Sequence, residues 1–336
     1  MQLPDHLLES LTLKGVLIDV SVRYWRASKR LSPEDLGLNP DQVTERLISL
    51  GHKRLLPKDS LRRFGLIESR AHGLIEADTF PFLHGLGHFL PNPKLDSVMA
   101  EMHKLEGEFE EVKKDFLNRY EDLRKQALED WRLAAQRLVQ KPEQLVAAIN
   151  ASFPNAERLD CHFGFSVQLF QIRLADNLQA DLITWADQSE VMSARQNAAS
   201  ESARRMTSQL NEFIGECIAS MREQTAELCE EMLASFNGGK SGVHQKTLNR
   251  LIRFIDQFKQ LNFAGDRQME EQLDRVRAEF LVRSAEQYRG DGNARQRLND
   301  GLRGLADFAR RLASEDTREL VEQFGQMGQR RIFRAA

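Results

Sequence analysis

The sequence predicts a mainly α protein: a long antiparallel coiled-coil hairpin with a small β subdomain and a C-terminal helical bundle. Three observations predict it. Apolar residues recur every three or four positions over two long stretches, about 95–140 and 190–236. Three short segments rich in β-branched and aromatic residues interrupt the helical pattern, and the last third breaks into shorter amphipathic stretches. The expected organisation is a base of residues 1–94 with 155–180, coiled-coil helices at 95–140 and 190–236, a bundle at 242–328 and a flexible basic tail at 329–336.

The first β segment is Leu13 to Trp25, where Asp19, Ser21 and Arg23 alternate with Ile18, Val20 and Val22 as in a half-buried strand. Ser32 to Val43 carries two prolines and reads as loop with at most a helical turn. Pro57-Lys58-Asp59-Ser60 starts a helix in which Leu61, Phe64, Ile67, Ala71 and Leu74 recur at helical spacing. Phe80 to Leu90, punctuated by Gly85 and Gly87, predicts a hairpin or bulged strand. The third β segment, His162 to Leu174, alternates Phe163, Phe165, Val167 and Leu169 with Gly164, Ser166, Gln168 and Phe170. One isolated strand is unstable, so the three assemble into one sheet.

The first rod runs from Leu95 through Val98, Met102, Leu105, Phe109, Val112 and Phe116, then Tyr120, Leu123, Ala127, Trp131, Ala134 and Leu138, with a stutter after Phe116. Pro91 and Pro93 mark its start and Pro142 its stop. At 1.5 Å per residue this rod is about 66 Å long. The second carries Ala199, Ala203, Met206, Leu210, Phe213, Cys217, Met221, Leu228 and Met232, and its matching length predicts antiparallel packing on the first. Asn237-Gly238-Gly239 ends it. Shorter helices follow at about 243–261, 267–288, 294–313 and 315–327.

Composition bounds the function. The chain has 336 residues, a length prior of roughly two domains. Its 41% apolar and 29% charged content excludes disorder over most of the length. A net charge of −3 is too balanced for wholesale nucleic-acid or anionic-membrane binding. By segment, 1–94 carries +2, 95–140 −3, 141–241 −6 and 242–336 +4. No apolar run approaches the ~20 residues of a membrane span, and no signal peptide is visible. Three scattered cysteines, Cys161, Cys217 and Cys229, exclude a disulfide framework, so the expectation is a cytoplasmic, reducing compartment.

Candidate chemistry is sparse, and no catalytic, cofactor or metal residue is assigned. Gly238-Gly239-Lys240-Ser241 imitates a phosphate loop, but Ala234 stands where its first glycine is required and a helix precedes it. His84 and His88 share one face of an extended segment, with Cys161-His162 as further ligands; no metal-binding spacing supports them, and partly buried polar residues are the default. Cys217 and Cys229 lie among glutamates that raise a thiol pKa, which disfavours nucleophilic catalysis. Glu110-Glu111, Glu230-Glu231 and Glu270-Glu271 read as solvated helix faces. Arg330, Arg331 and Arg334, with Phe333, form the one cluster to test for nucleic acid or an acidic protein surface.

Five stretches carry a resemblance: KGVLIDVSVRYWRASKRLSPEDLGL (14–38), SLGHKRLLPKDSLRRF (49–64), HGLGHFLP (84–91), EFEEVKKDFLNRYEDL (108–123) and HFGFSVQLFQI (162–172). Together they resemble a bacterial and phage family, domain-of-unknown-function family 3150, over the first half to two-thirds of the chain. The resemblance implies a mobile-element or phage setting beside genes for a MoxR/CobS-like AAA+ ATPase and a von Willebrand factor A (CobT-like) protein. It brings no established active site. The expected function is therefore a non-enzymatic adaptor or scaffold for an AAA+ ATPase module, with self-association through the coiled coil. The alternative is a nucleic-acid-binding protein of a phage or conjugative element that uses the basic C-terminal third.

Overall fold

The computed structural model describes residues 10–36, 50–83, 85–171, 188–237, 243–315 and 317–324, and for 188–207 little beyond the backbone. In chain order its first elements are β1 (Gly15–Arg23), β2 (Ser28–Arg30), β3 (His52–Arg54), α1 (Arg62–Asp78), β4 (Phe80–Pro81), β5 (His88–Pro91) and α2 (Asn92–Leu138). There follow α3 (Pro142–Ser152), α4 (Ala156–Leu159), β6 (Gly164–Phe170), α5 (Gln188–Asn237), α6 (Gln245–Leu261), α7 (Arg267–Phe280), α8 (Ala285–Gly290) and α9 (Gly292–Ser314). The chain is mainly helical, with a four-stranded sheet in the order β4-β5-β1-β6 and a separate β2–β3 ribbon. It divides into two compact units: residues 1–18, 78–96 and 169–336, and residues 19–77 and 97–168.

In the first unit, β5 pairs antiparallel with both β4 and the start of β1, Gly15 opposite Pro91 and Ile18 opposite His88. Position 15 requires glycine, because a Cβ there would sit 2.4 Å from the Leu90 carbonyl oxygen. The β4–β5 turn passes through Gly85 and Gly87, both at positive φ, and Phe82 N–H closes it on the Gly87 carbonyl. Phe82 and Phe89 place their rings 4.9 and 5.9 Å from that of Phe213 on α5.

The apolar stripe of α5, including Phe213, Cys217, Met221, Leu228 and Met232, is buried as its spacing predicts. Its main partner is α9. Gly215 faces Thr317, Arg222 the Leu312 carbonyl and Glu230 the Arg310 guanidinium, so the two helices run antiparallel. Within this unit, then, α9 lies along the C-terminal half of the α5 stripe.

At the centre, Arg222 Nε donates to Asp266 Oδ2 at 2.6 Å and Nη1 to the Leu312 carbonyl at 2.6 Å, with both side chains 4% exposed. Asp266 also caps α7 by accepting from the Met269 N–H. One guanidinium therefore ties α5, the start of α7 and the end of α9. The stretch expected as one helix over 267–288 breaks after Phe280, because Ser284 and Gln287 form a capping box that starts α8 afresh.

The second unit packs around rings. Phe64 of α1 lies within 5.1–5.8 Å of Phe109, Phe116 and Phe163, and Trp25 within 5.8–6.4 Å of Phe116, Tyr120 and Phe153. The α2 stripe is buried from Val98 to Tyr120, with Phe109, Phe116 and Tyr120 among these rings; beyond it burial falls to Ala127 and Ala135, while Leu138 is exposed. Burial pushes the Tyr120 phenol up to about 12, and its hydroxyl donates to the Pro154 carbonyl at 2.7 Å. The β2–β3 ribbon pairs Ser28 with Arg54 and Arg30 with His52. Lys53 turns the other way, buried against Asp35 at 2.6 Å.

Candidate functional site

In the second unit an open cleft of about 620 Å³ lies where β1 leaves for the ribbon and α1 begins. Its polar lining is Tyr24, Arg26, Ser28, Arg54, Lys58, Asp59 and Arg62; its apolar lining is Leu56, Pro57, Leu61 and Leu66 around Gly65. The size falls in the ordinary range for binding sites, about 300–1,000 Å³.

Each wall is fixed by local structure. Ala27, at φ 47°, turns the chain out of β1, and its carbonyl accepts the Leu55 N–H at 2.7 Å, which holds the ribbon to the strand end. The Trp131 indole donates to the Arg54 carbonyl at 2.9 Å and anchors the same edge from α2. Pro57 starts a 3₁₀ turn over Lys58–Leu61 that runs into α1 and presents Lys58, Asp59 and Arg62 to solvent.

The charged groups divide into two sets. Arg26 is held: its guanidinium bonds both Glu68 oxygens, at 2.6 and 2.9 Å, and lies 3.9 Å over the Tyr24 ring. The Arg26 bond holds the Glu68 carboxyl below its ordinary range, whereas burial raises the Tyr24 phenol. Arg54, Lys58 and Arg62 are exposed and make no ion pair among the described residues. The helical run that begins at Lys58 carries Asp59 in its first turn, and Arg62-Arg63 follow where the 3₁₀ turn passes into α1.

The sites considered from sequence fare differently. Arg330, Arg331, Arg334 and Phe333 lie outside the described residues, as do His84 and the Gly238–Ser241 stretch. His88 sits on β5 with its Nδ1 3.2 Å from the Thr79 hydroxyl. Cys161 is exposed beside His162, and among the described residues no group of three or more His, Cys, Asp or Glu is arranged to hold a metal ion. Burial raises the Cys217 thiol well above its ordinary value and pushes Cys229 to about 12, with Glu216 and Glu230 adding to each. Neither supplies a thiolate near neutral pH. Two of the glutamate pairs serve surface bridges, Glu230 to Arg310, Glu231 to Arg250 and Glu110 to Lys113, and in the third Glu270 accepts from the Asn262 side-chain amide at 3.0 Å. No helix among the described residues is long and apolar enough to cross a membrane.

The cleft itself went unread in the sequence. The available signal was local charge: residues 23–36 and 50–63 hold nine basic and three acidic side chains, an excess diluted when 1–94 is counted as one segment.

Residues 13–281 match the family described as "Protein of unknown function (DUF3150)". The chain belongs to that family. The match covers both the 14–38 and 49–64 stretches that build the cleft. No curated protein and no solved structure matches the DUF3150 chain.

Proposed function

We propose that this DUF3150 protein is a non-enzymatic interaction protein and that the cleft of the second unit is where it takes hold of its partner. The observation that carries the reading is the set of three exposed cations, Arg54, Lys58 and Arg62, that have no ion-pair partner among the described residues and stand around an apolar floor. The cysteines support it from the other side, since both buried thiols are held protonated. By resemblance the partner is a MoxR-like AAA+ ATPase working with a von Willebrand factor A protein in a phage or mobile-element system. In that setting the protein is an adaptor.

The test is size-exclusion chromatography with light scattering of the purified protein, alone and mixed with the ATPase encoded beside it, with and without ATP. The reading expects co-elution that depends on nucleotide. Separate elution in every nucleotide state contradicts it.

A further inference from the structure

We infer that the cleft of the second unit binds an acidic segment of a partner protein that also carries apolar side chains, with Arg54, Lys58 and Arg62 pairing its carboxylates and Leu56, Leu61 and Leu66 receiving its apolar groups. This rests on the interaction reading above and names the chemistry of the occupant.

Charge complementarity sets the first half. The cleft draws its cations from a strand end, a 3₁₀ turn and the first turn of α1, and none of the three is neutralised among the described residues. Exposed bases elsewhere in the unit, such as Lys114, Lys125 and Arg158, also stand without an acid among the described residues, so what sets these three apart is that they line one cleft together over an apolar floor. An anionic occupant therefore meets guanidinium and ammonium groups that give up no internal bond.

The lining argues against a nucleic acid. Among the described residues Tyr24 is the only aromatic one lining the cleft, and its ring is already engaged by the Arg26 guanidinium and by Phe64, stacked at 5.3 Å. No ring is left as a platform for bases. Asp59, exposed in the same lining, repels a uniform polyanion but leaves room for spaced carboxylates. A free inorganic anion would leave the leucines unused. Leu66 is 53% exposed on the solvent side of α1, where nothing in the helix core calls for an apolar residue.

The experiment is fluorescence anisotropy of the full-length protein with a short labelled peptide built from glutamate and leucine, and in parallel with an all-glutamate peptide and a single-stranded DNA. The wild-type protein is expected to bind the mixed peptide best, more weakly as salt rises. The Arg54→Glu, Lys58→Glu, Arg62→Glu triple variant is expected to weaken it about tenfold or more. Leu66→Asp is expected to weaken the mixed peptide but not the all-glutamate one. A control triple, Lys104→Glu, Arg119→Glu and Arg132→Glu, changes net charge equally outside the cleft and is expected to leave affinity unchanged. Circular dichroism checks that each variant is folded.

No binding at low salt, equal loss in both triple variants, equal binding of the two peptides, or tighter binding of DNA would each overturn the inference. Its failure is separable from that of the interaction reading. If the ATPase co-elutes with wild type and cleft triple alike, the cleft assignment falls and the adaptor stands; if the ATPase never co-elutes, the adaptor falls whatever the peptide does.

Discussion

Two arginines show how differently the two units use charge. Arg222, in the first, is buried and saturated: it bonds Asp266 and the Leu312 carbonyl and joins three helices. Arg62, in the second, stands exposed where the 3₁₀ turn passes into α1, and has no ion-pair partner among the described residues. A buried charge is kept because removing one partner strands the other in a poorly polarisable interior. An exposed charge with no such bonds adds little to the fold, and in the proposed reading Arg62 serves what the cleft binds. The same contrast recurs between neighbours on one strand, where Lys53 is buried on Asp35 and Arg54 opens to the cleft.

This comparison can be broken by substitution. The largest expected effect is at Arg222. Arg222→Met leaves Asp266 buried without its cation and is expected to cost about 3–5 kcal/mol, read as a lower urea midpoint. A loss below about 1 kcal/mol would mean that the pair is not the hub it appears geometrically. Second is Gly301→Ala on α9, whose Cβ would sit 2.3 Å from the Phe280 ring. The expected cost of that overpacking is about 1–3 kcal/mol by thermal melting, relieved if Phe280 is shortened to Leu in the same chain.

Third is the pH dependence of the second unit. Burial pushes the Asp35 carboxyl up, but bonds from Lys53 and the Ser32 amide more than cancel this and leave it lowered; Glu68 is lowered chiefly by its bond from Arg26. A carboxylate whose folded pKa lies below its unfolded value contributes stability above that unfolded value, about 4, and loses it as pH falls through the folded one. Stability is therefore expected to fall on acidification below about pH 4, and Asp35→Asn should flatten that limb of the urea-midpoint profile. An unchanged limb would remove Asp35 from the account.

The smallest effect sharpens the comparison most. Arg62→Glu, an exposed change with no ion pair to break among the described residues, is expected to alter stability by no more than about 0.5 kcal/mol while weakening partner binding. A variant destabilised by the change would show that Arg62 serves the fold.

Much of the architecture was legible in the sequence. Alternation from Leu13 to Trp25 marked β1, Gly85 and Gly87 marked the β4–β5 turn, and the three–four spacing marked α2 and α5 within a few residues of their ends. What periodicity does not carry is the identity of the partner. The stripe on α5 shows that something covers Phe213 and Met221, yet α9, some 90 residues away in the chain at Arg222 and Leu312, was not readable as the cover. The β2–β3 ribbon was invisible for another reason, since Ser-Lys-Arg and His-Lys-Arg have neither β-branching nor alternation and are held by Ala27 and Trp131. The cleft inherits that blindness, because its walls come from segments near 24–28 and 54–66 that meet only in the fold.

The most direct test of the central claim is hydrogen–deuterium exchange on the full-length protein with and without the proposed ATPase partner. The account predicts slowed exchange at 24–28 and 54–66, with α5 to α9 unchanged. Protection confined to α5–α9, or none in the cleft segments of a protein that demonstrably binds the ATPase, would contradict it.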